Sequence, residues 1–313
     1  MTITQLQYVL AVAEYKNFTF AAEKCFVTQP TLSMQIQKVE EELGIKIFDR
    51  TKKPIQLTEI GQKIVNQAKN IVIEADRIQD IVDQQKGFIG GEFRLGIIPT
   101  VTPTLLPMFL NNFIKKYPKV KLIIEELNTD EIIKKLKNGH LDAAIAATPL
   151  NEDKIKEIVL YFEPFVAYIP ENNSIYNKKE IEVSDLNLDE ILLLQDGHCF
   201  RDGILNLCKN ISKSEKSNFQ IESGSFETLI KLADEGLGIT LLPFLHTLDL
   251  SEKNKTKLRH FKEPKPAREV SLIYPKTELK IHIIDALRST IAGVIKGAIV
   301  FQNVEIISPK PIK

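Results

Sequence analysis

The feature that most constrains this chain is a change of texture at Gly87-Phe88-Ile89-Gly90-Gly91. Before this glycine-rich stretch, apolar residues recur at helical spacing. After it, short strands alternate with helices. A single small domain does not carry both patterns, and 313 residues exceeds one domain of roughly 100–200 residues. The break predicts a helical head over 1–58, a linker helix and hinge over 59–90, an α/β domain of two subdomains over 91–301, and a loose tail over 302–313.

In the head, Leu6, Val9, Leu10, Ala13 and Phe18 predict a first helix over 4–15. Asn17 and Thr19 can cap a second over 19–25. Thr28 is placed to cap a third, with Pro30 in its first turn, where a missing N–H is tolerated. Gly44 stops that helix. Two helices joined by a tight turn, the second opening on short polar residues, form a helix-turn-helix pattern. Residues 45–57 alternate around Arg50, Lys52 and Lys53, as a small β-hairpin wing does.

The chemistry this pattern serves is DNA reading. Gln29, Pro30, Thr31, Ser33, Met34 and Gln35 stand at the start of the third helix, where side chains reach base edges in the major groove. Lys38, Arg50, Lys52 and Lys53 are candidates for phosphate contacts, which position without specifying sequence. Lys+Arg equals Asp+Glu, 41 against 41, so a basic surface has to be local. Thr58-Glu59-Ile60-Gly61 opens a long helix whose apolar residues Ile60, Ile64, Ala68, Ile71, Ala75, Ile78 and Val82 step by three and four. That narrow stripe fits a dimerising seam; packing on its own domain is the alternative.

Beyond the glycines, strands are expected at 93–98, 120–127, 142–147, 190–194, 220–223, 238–242 and 269–274. Helices are expected at 130–138, 225–235 and 279–300. Residues 151–189 carry no motif. Hydroxyl residues at three helix starts (Thr100 and Thr102, Thr129, Ser223 and Ser225) are N-cap candidates that could also converge on one cleft at the strand ends.

Composition brings in the redox question. Three cysteines are too few, and odd in number, for a disulfide framework. No apolar run reaches ~18 residues, so no membrane span is expected. The N-terminus lacks a basic signal region. These readings place the chain in a reducing cytoplasm. Cys25, on an apolar helix face, reads as core. Cys199, in Gln195-Asp196-Gly197-His198-Cys199-Phe200-Arg201-Asp202, sits beside a histidine and an arginine that would lower a thiol pKa, in electropositive, wet surroundings. Such a thiolate can attack peroxide, and Cys208 could resolve the sulfenic acid. If the segment between them is helical, the two Cα atoms lie roughly 13 Å apart, beyond the ~4.4–6.8 Å a disulfide spans. Gly203 would ease remodelling. No CxxC or second histidine supports a metal.

The stretch from Ala21-Ala22 through Thr28-Gln29-Pro30-Thr31-Leu32-Ser33, then Glu42-Leu43-Gly44, Phe48-Asp49-Arg50 and Leu57-Thr58-Glu59-Ile60-Gly61, resembles the head of the LysR-type transcriptional regulators. Gly96-Ile97-Ile98-Pro99-Thr100-Val101, the Cys199 segment with Cys208, Ser225-Phe226-Glu227-Thr228-Leu229 and Gly238-Ile239-Thr240-Leu241-Leu242-Pro243 resemble the peroxide-sensing members. The resemblance implies an all-α winged head and two α/β subdomains of periplasmic-binding-protein type. It implies Cys199 as the peroxidatic and Cys208 as the resolving cysteine, with Thr100, Thr129, His198 and Arg268 orienting hydrogen peroxide and Arg201 and Asp202 in support. It further implies double-stranded DNA and RNA polymerase as partners, a homotetramer, no cofactor, and control of antioxidant genes. The rivals are a metabolite-responsive regulator with incidental cysteines, and a thiol peroxidase.

Overall fold

The computed structural model describes residues 1–85, 88–209, 223–299 and 303–309. The chain divides into two compact units at the 86/87 junction.

The first unit opens with α1 (Ile3–Tyr15), α2 (Phe18–Lys24) and α3 (Gln29–Leu43). Each is started by a side chain that satisfies free backbone N–H groups. Thr2 forms a capping box with Gln5, Asn17 accepts from Thr19 and Phe20, and Thr28 accepts from Thr31. Gly44, at φ +67°, ends α3 in the left-handed conformation. The wing is two short antiparallel strands, β1 (Phe48–Asp49) and β2 (Gln56–Leu57). Then α4 runs over Glu59–Gln85. Thr58 starts it: its hydroxyl accepts from the Gly61 N–H at 2.9 Å and donates to the Lys46 carbonyl. A Cβ on Gly61 would stand 2.1 Å from the Ile47 carbonyl oxygen, so only glycine fits. Leu32, Ile36, Val39, Ile47 and Val65 close the core of this unit.

The apolar stripe of α4 divides in two. Ala68 is buried and Ile64 packs on the head core, so this part of the expected seam belongs to its own unit. Ile71, Ile78, Ile81 and Val82 are exposed, Ile78 by 67%.

The second unit is built on one mixed sheet. In chain order it contains β3 (Gly91–Ile97), α5 (Thr102–Lys116), β4 (Val120–Glu126), α6 (Thr129–Lys137), β5 (Ala143–Thr148), β6 (Ile155–Tyr168), β7 (Glu180–Ile181), α7 (Cys199–Leu207) and α8 (Phe226–Asp234). There follow β8 (Thr240–Pro243), α9 (Phe244–Leu248), α10 (Glu252–Lys255), β9 (Leu258–Phe261), β10 (Lys265–Pro275), α11 (Ile281–Ile295) and β11 (Val304–Ile306). The sheet runs β4-β3-β5-β10-β6-β9-β7, with β8 also on β6 and β11 on β10. Strand β6 is the hinge of the design. Its first part pairs with β10, and its last residues, Val166–Tyr168 among them, pair with β8 and β9. Two apolar cores result, one around Leu95, Phe109, Ile145 and Leu272, the other around Phe165, Phe200, Leu241 and Phe261.

Several expectations are corrected. Residues 190–194 form no strand; a 3₁₀ turn ends at Glu190 and Ile191 makes one isolated bridge to Ile239. The motifless stretch 151–189 holds the longest strand. The strand expected at 220–223 lies outside the described residues except for Ser223. The glycine stretch is not wholly a free hinge: the Gly91 N–H donates to the Lys119 carbonyl, and Lys119 lies over the Phe88 ring. Nor is the tail loose over its described residues. β11 runs parallel to β10, and the Asn206 side chain donates to the Ser308 carbonyl at 2.8 Å. Among the described residues no helix is long and apolar enough to cross a membrane.

Candidate functional site

Three helix starts meet near one sulfur. Cys199 is the first residue of α7, following His198 as N-cap. Thr129 is the first residue of α6, and Thr100 lies just before α5. The expectation that these hydroxyls are plain N-caps fails for Thr129, because other residues cap α6. Asn128 and Glu131 form the capping box of α6, which frees Thr129. Its hydroxyl is sealed from solvent and completes no hydrogen bond among the described residues, and it lies close enough to the Cys199 sulfur to favour the thiolate there. The third expected hydroxyl start, at Ser223 and Ser225, borders the site only through Gly224, where a Cβ would lie 3.4 Å from His198 Nε2.

The cation at the site is Arg268 on β10. It is buried with Glu163, its cross-strand partner on β6. Arg268 Nε and Nη2 both donate to Glu163 Oε2, at 2.9 and 2.7 Å. Nη1 donates to the Thr100 hydroxyl at 2.7 Å, and Nη2 to the Thr100 carbonyl at 3.1 Å. The Leu245 N–H donates to the other Glu163 oxygen. Phe200 lies under the guanidinium at 5.1 Å. A buried charge pair survives only with such dense hydrogen bonding.

The sulfur is not wet. Cys199 is 7% exposed. Burial pushes its thiol up, and Arg268, then Thr129 and the backbone N–H at the helix start, offset this only in part. His198 is held below the ordinary histidine range by burial, so it stands neutral and is not an imidazolium beside the thiol. Arg201 does not serve the sulfur as expected: its guanidinium binds the Leu194 carbonyl and Asp196. Asp202 pushes the Cys199 thiol up rather than supporting the thiolate. Cys208, the C-cap of α7, is a free thiol 1% exposed and pushed up to about 11 by burial. Cys25 is free and half-buried. Among the described residues no cluster of His, Cys, Asp and Glu suits a metal ion.

In the head, Gln29, Pro30, Met34, Lys38, Lys52 and Lys53 are exposed, and Thr31 and Ser33 half-exposed, on α3 and the wing. Gln35 accepts from Gln5. Arg50 is already engaged: it donates to the Ser33 hydroxyl, pairs with Glu40 and lies 4.8 Å over the Phe18 ring. Buried Glu40 accepts from the N–H groups of Ile47 and Phe48, fastening the wing to α3.

The family model for bacterial regulatory helix-turn-helix proteins of the lysR family matches residues 3–62, and the LysR substrate binding domain matches residues 86–294. The chain is a LysR-family regulator. As such it is a transcription factor, not a thiol peroxidase. The regulator is 34% identical over 274 residues to a hydrogen peroxide-inducible genes activator of Pectobacterium carotovorum, covering 88% of this chain and 90% of that one. It is 32% identical over 297 residues to the DNA-binding transcriptional dual regulator OxyR of Escherichia coli K12, covering 94% and 97%. A full-length Pseudomonas aeruginosa OxyR with a cysteine-to-aspartate change matches with a TM-score of 0.71 at 33% identity, over 93% of this chain and 98% of that one. A hydrogen peroxide-bound OxyR mutant of Corynebacterium glutamicum matches at 0.64 and 27% identity, over 95% and 93%.

Sequence reasoning passed over two residues of this regulator that matter, Glu163 and Glu40. For Glu163 the signal was present; Glu40, in Lys38-Val39-Glu40-Glu41-Glu42, carried none of this kind. An acid inside an apolar run, as in Leu160-Tyr161-Phe162-Glu163-Pro164-Phe165, has to find a buried cation or backbone donors.

Proposed function

We propose that this regulator senses hydrogen peroxide through Cys199 and transmits the signal to DNA through a Cys199–Cys208 disulfide, controlling antioxidant genes. The observation that carries this reading is the setting of Cys199: a helix-start sulfur facing an unpartnered buried hydroxyl and a fixed guanidinium, with a second free thiol at the far end of the same helix. In this reading Thr100, Thr129, His198 and Arg268 orient the peroxide. The thiolate attacks one oxygen, the O–O bond breaks, and hydroxide leaves as water with a proton. The sulfenic acid then condenses with Cys208, releasing water and forming the disulfide. The names of the relatives support the ligand.

Gln29, Pro30, Thr31, Ser33 and Gln35 read bases, and Lys38, Lys52 and Lys53 hold phosphates of double-stranded DNA. The exposed face of α4 at Ile71, Ile78 and Val82 takes α4 of a second copy. A cytoplasmic homotetramer that engages RNA polymerase completes the reading. The test is a DNA footprint of reduced and peroxide-treated protein, wild type and Cys199→Ser. The footprint should change with peroxide in the wild type alone. A change that persists in Cys199→Ser, or one produced only by a small carboxylate metabolite, overturns it.

A further inference from the structure

Among the described residues, three buried donor positions at the site lack a protein partner. One is the Thr129 hydroxyl, already placed at the sulfur. The second is the Tyr161 hydroxyl, which is sealed from solvent and bonds to nothing among the described residues. The third follows from counting. A guanidinium carries five N–H groups, and Arg268 makes four hydrogen bonds, of which Nη1 makes one. One N–H of Nη1 is left over.

Register puts two of these three together. Glu163 pairs with Arg268, and Tyr161 pairs with Val270, across β6 and β10. Directly paired residues share a face of an antiparallel sheet, and residues two apart share it too. Tyr161, Glu163 and Arg268 therefore stand on one face, with Tyr161 diagonal to Arg268 at the ~7–8 Å spacing across which long side chains interact. Arg268 acts electrostatically on both Tyr161 and Cys199, so the guanidinium is within reach of both the phenol and the sulfur. Buried polar groups in native proteins are almost always satisfied by protein or ordered water. A phenylalanine would fill the same volume without the desolvation cost, so the hydroxyl has work to do.

We infer that Tyr161 is a positioning residue of the peroxide site, its hydroxyl holding a resident water that bridges to the spare Nη1 N–H of Arg268 and fixes the guanidinium toward Cys199. This rests on the reading of Cys199 as the peroxide-reactive cysteine. Tyr161 stays protonated throughout, since burial raises its phenol well above the ordinary range; it moves no proton and touches no substrate.

The test is Tyr161→Phe in the full chain, with three readouts. The first is the rate of Cys199 sulfenic acid formation by peroxide, trapped and quantified by peptide mass spectrometry. The second is the pH midpoint of Cys199 alkylation by iodoacetamide, which needs no peroxide. The third is thermal stability. Tyr161→Phe should slow the peroxide reaction roughly tenfold, about the worth of one hydrogen bond to a charged group. It should also move the alkylation midpoint upward, because a looser guanidinium favours the thiolate less. Unchanged rate and midpoint, with stability unchanged or raised, overturn the inference; so does a change in stability alone. If wild-type Cys199 reacts with peroxide no faster than free cysteine, the peroxide reading fails, while the alkylation midpoint still decides the role of Tyr161. Tyr161→Leu, which also removes the ring, separates loss of packing from loss of the hydroxyl: a midpoint that moves in Tyr161→Leu but stays at the wild-type value in Tyr161→Phe counts against the water bridge.

Discussion

Cys199 and Cys208 occupy the two ends of one helix and face different hydrophobic cores, Cys199 the one around Leu95 and Ile145, Cys208 the one around Phe165 and Phe261. Nine residues of α-helix separate them by roughly 13 Å along the axis and about half a turn in phase. A disulfide between them cannot form while α7 is intact. Stoichiometric peroxide should therefore yield the bond together with loss of amide protection across α7, seen by hydrogen exchange with mass spectrometry. Cys208→Ser should stop at sulfenic acid with α7 still protected. A bonded protein whose α7 keeps its protection would refute the helix-opening step.

The Arg268–Glu163 pair is as much a structural bond as a chemical one. Removing one partner strands a buried charge, which costs about 3–5 kcal/mol. Arg268→Met should lower unfolding stability in urea by about that amount and abolish the fast peroxide reaction. Arg268→Met with Glu163→Leu should recover much of the stability and none of the reactivity.

Burial raises both thiols of α7, against the expectation of a depressed Cys199. The thiolate is the nucleophile, so at pH 7 the unliganded site holds less of it than free cysteine does. Alkylation of Cys199 should keep accelerating with pH beyond the ordinary thiol midpoint of about 8.5. Below that midpoint folded and unfolded thiols are alike protonated and cost nothing. Above it the unfolded chain ionises first, so melting temperature should fall as pH rises from about 9 toward the 11 of Cys208. A flat melting temperature over that window would contradict the burial of these sulfurs.

On DNA, Lys52→Ala or Lys53→Ala should weaken binding evenly across sequences and reduce the slope of log affinity against log salt by about one each. Gln29→Ala should instead cost about 1–3 kcal/mol at one base position and relax preference there. Electrophoretic shifts at several salt concentrations separate the two. Glu40→Ala should loosen the wing, because the N–H groups of Ile47 and Phe48 lose their acceptor.

Local rules carried the sequence a long way. Caps and stops at Thr28, Gly44 and Thr58 act locally, so the head was legible, and so were β3, β4, α6 and α11. Strand β6 was not, because Lys156 and Glu157 near its start and Glu163-Pro164 within it mask the apolar alternation, and its partners β8, β9 and β10 lie far along the chain. At the site, the resemblance named Cys199, Thr100, Thr129 and Arg268, which the fold brings near one another, but their electrostatics were not legible. Sequence proximity pointed to His198 and Arg201 as the cations near the sulfur, whereas folding supplies Arg268 from 69 positions away and spends Arg201 on Leu194 and Asp196. Burial, which decides the thiol's state, has no local signature.

Residues 304–308 grip the apparatus on both sides. β11 follows β10 up to Ala267, next to Arg268, and the Ser308 carbonyl receives the Asn206 amide two residues before Cys208. Asn206→Ala should hasten closure of the disulfide several-fold, as loss of one ~0.5–1.5 kcal/mol hydrogen bond allows, without altering sulfenic acid formation; quench-flow mass spectrometry distinguishes the two steps. The threshold of the sensor then rests in part on residues 304–308, which bear both on the strand of Arg268 and on the helix of Cys208 although neither cysteine lies near them in sequence.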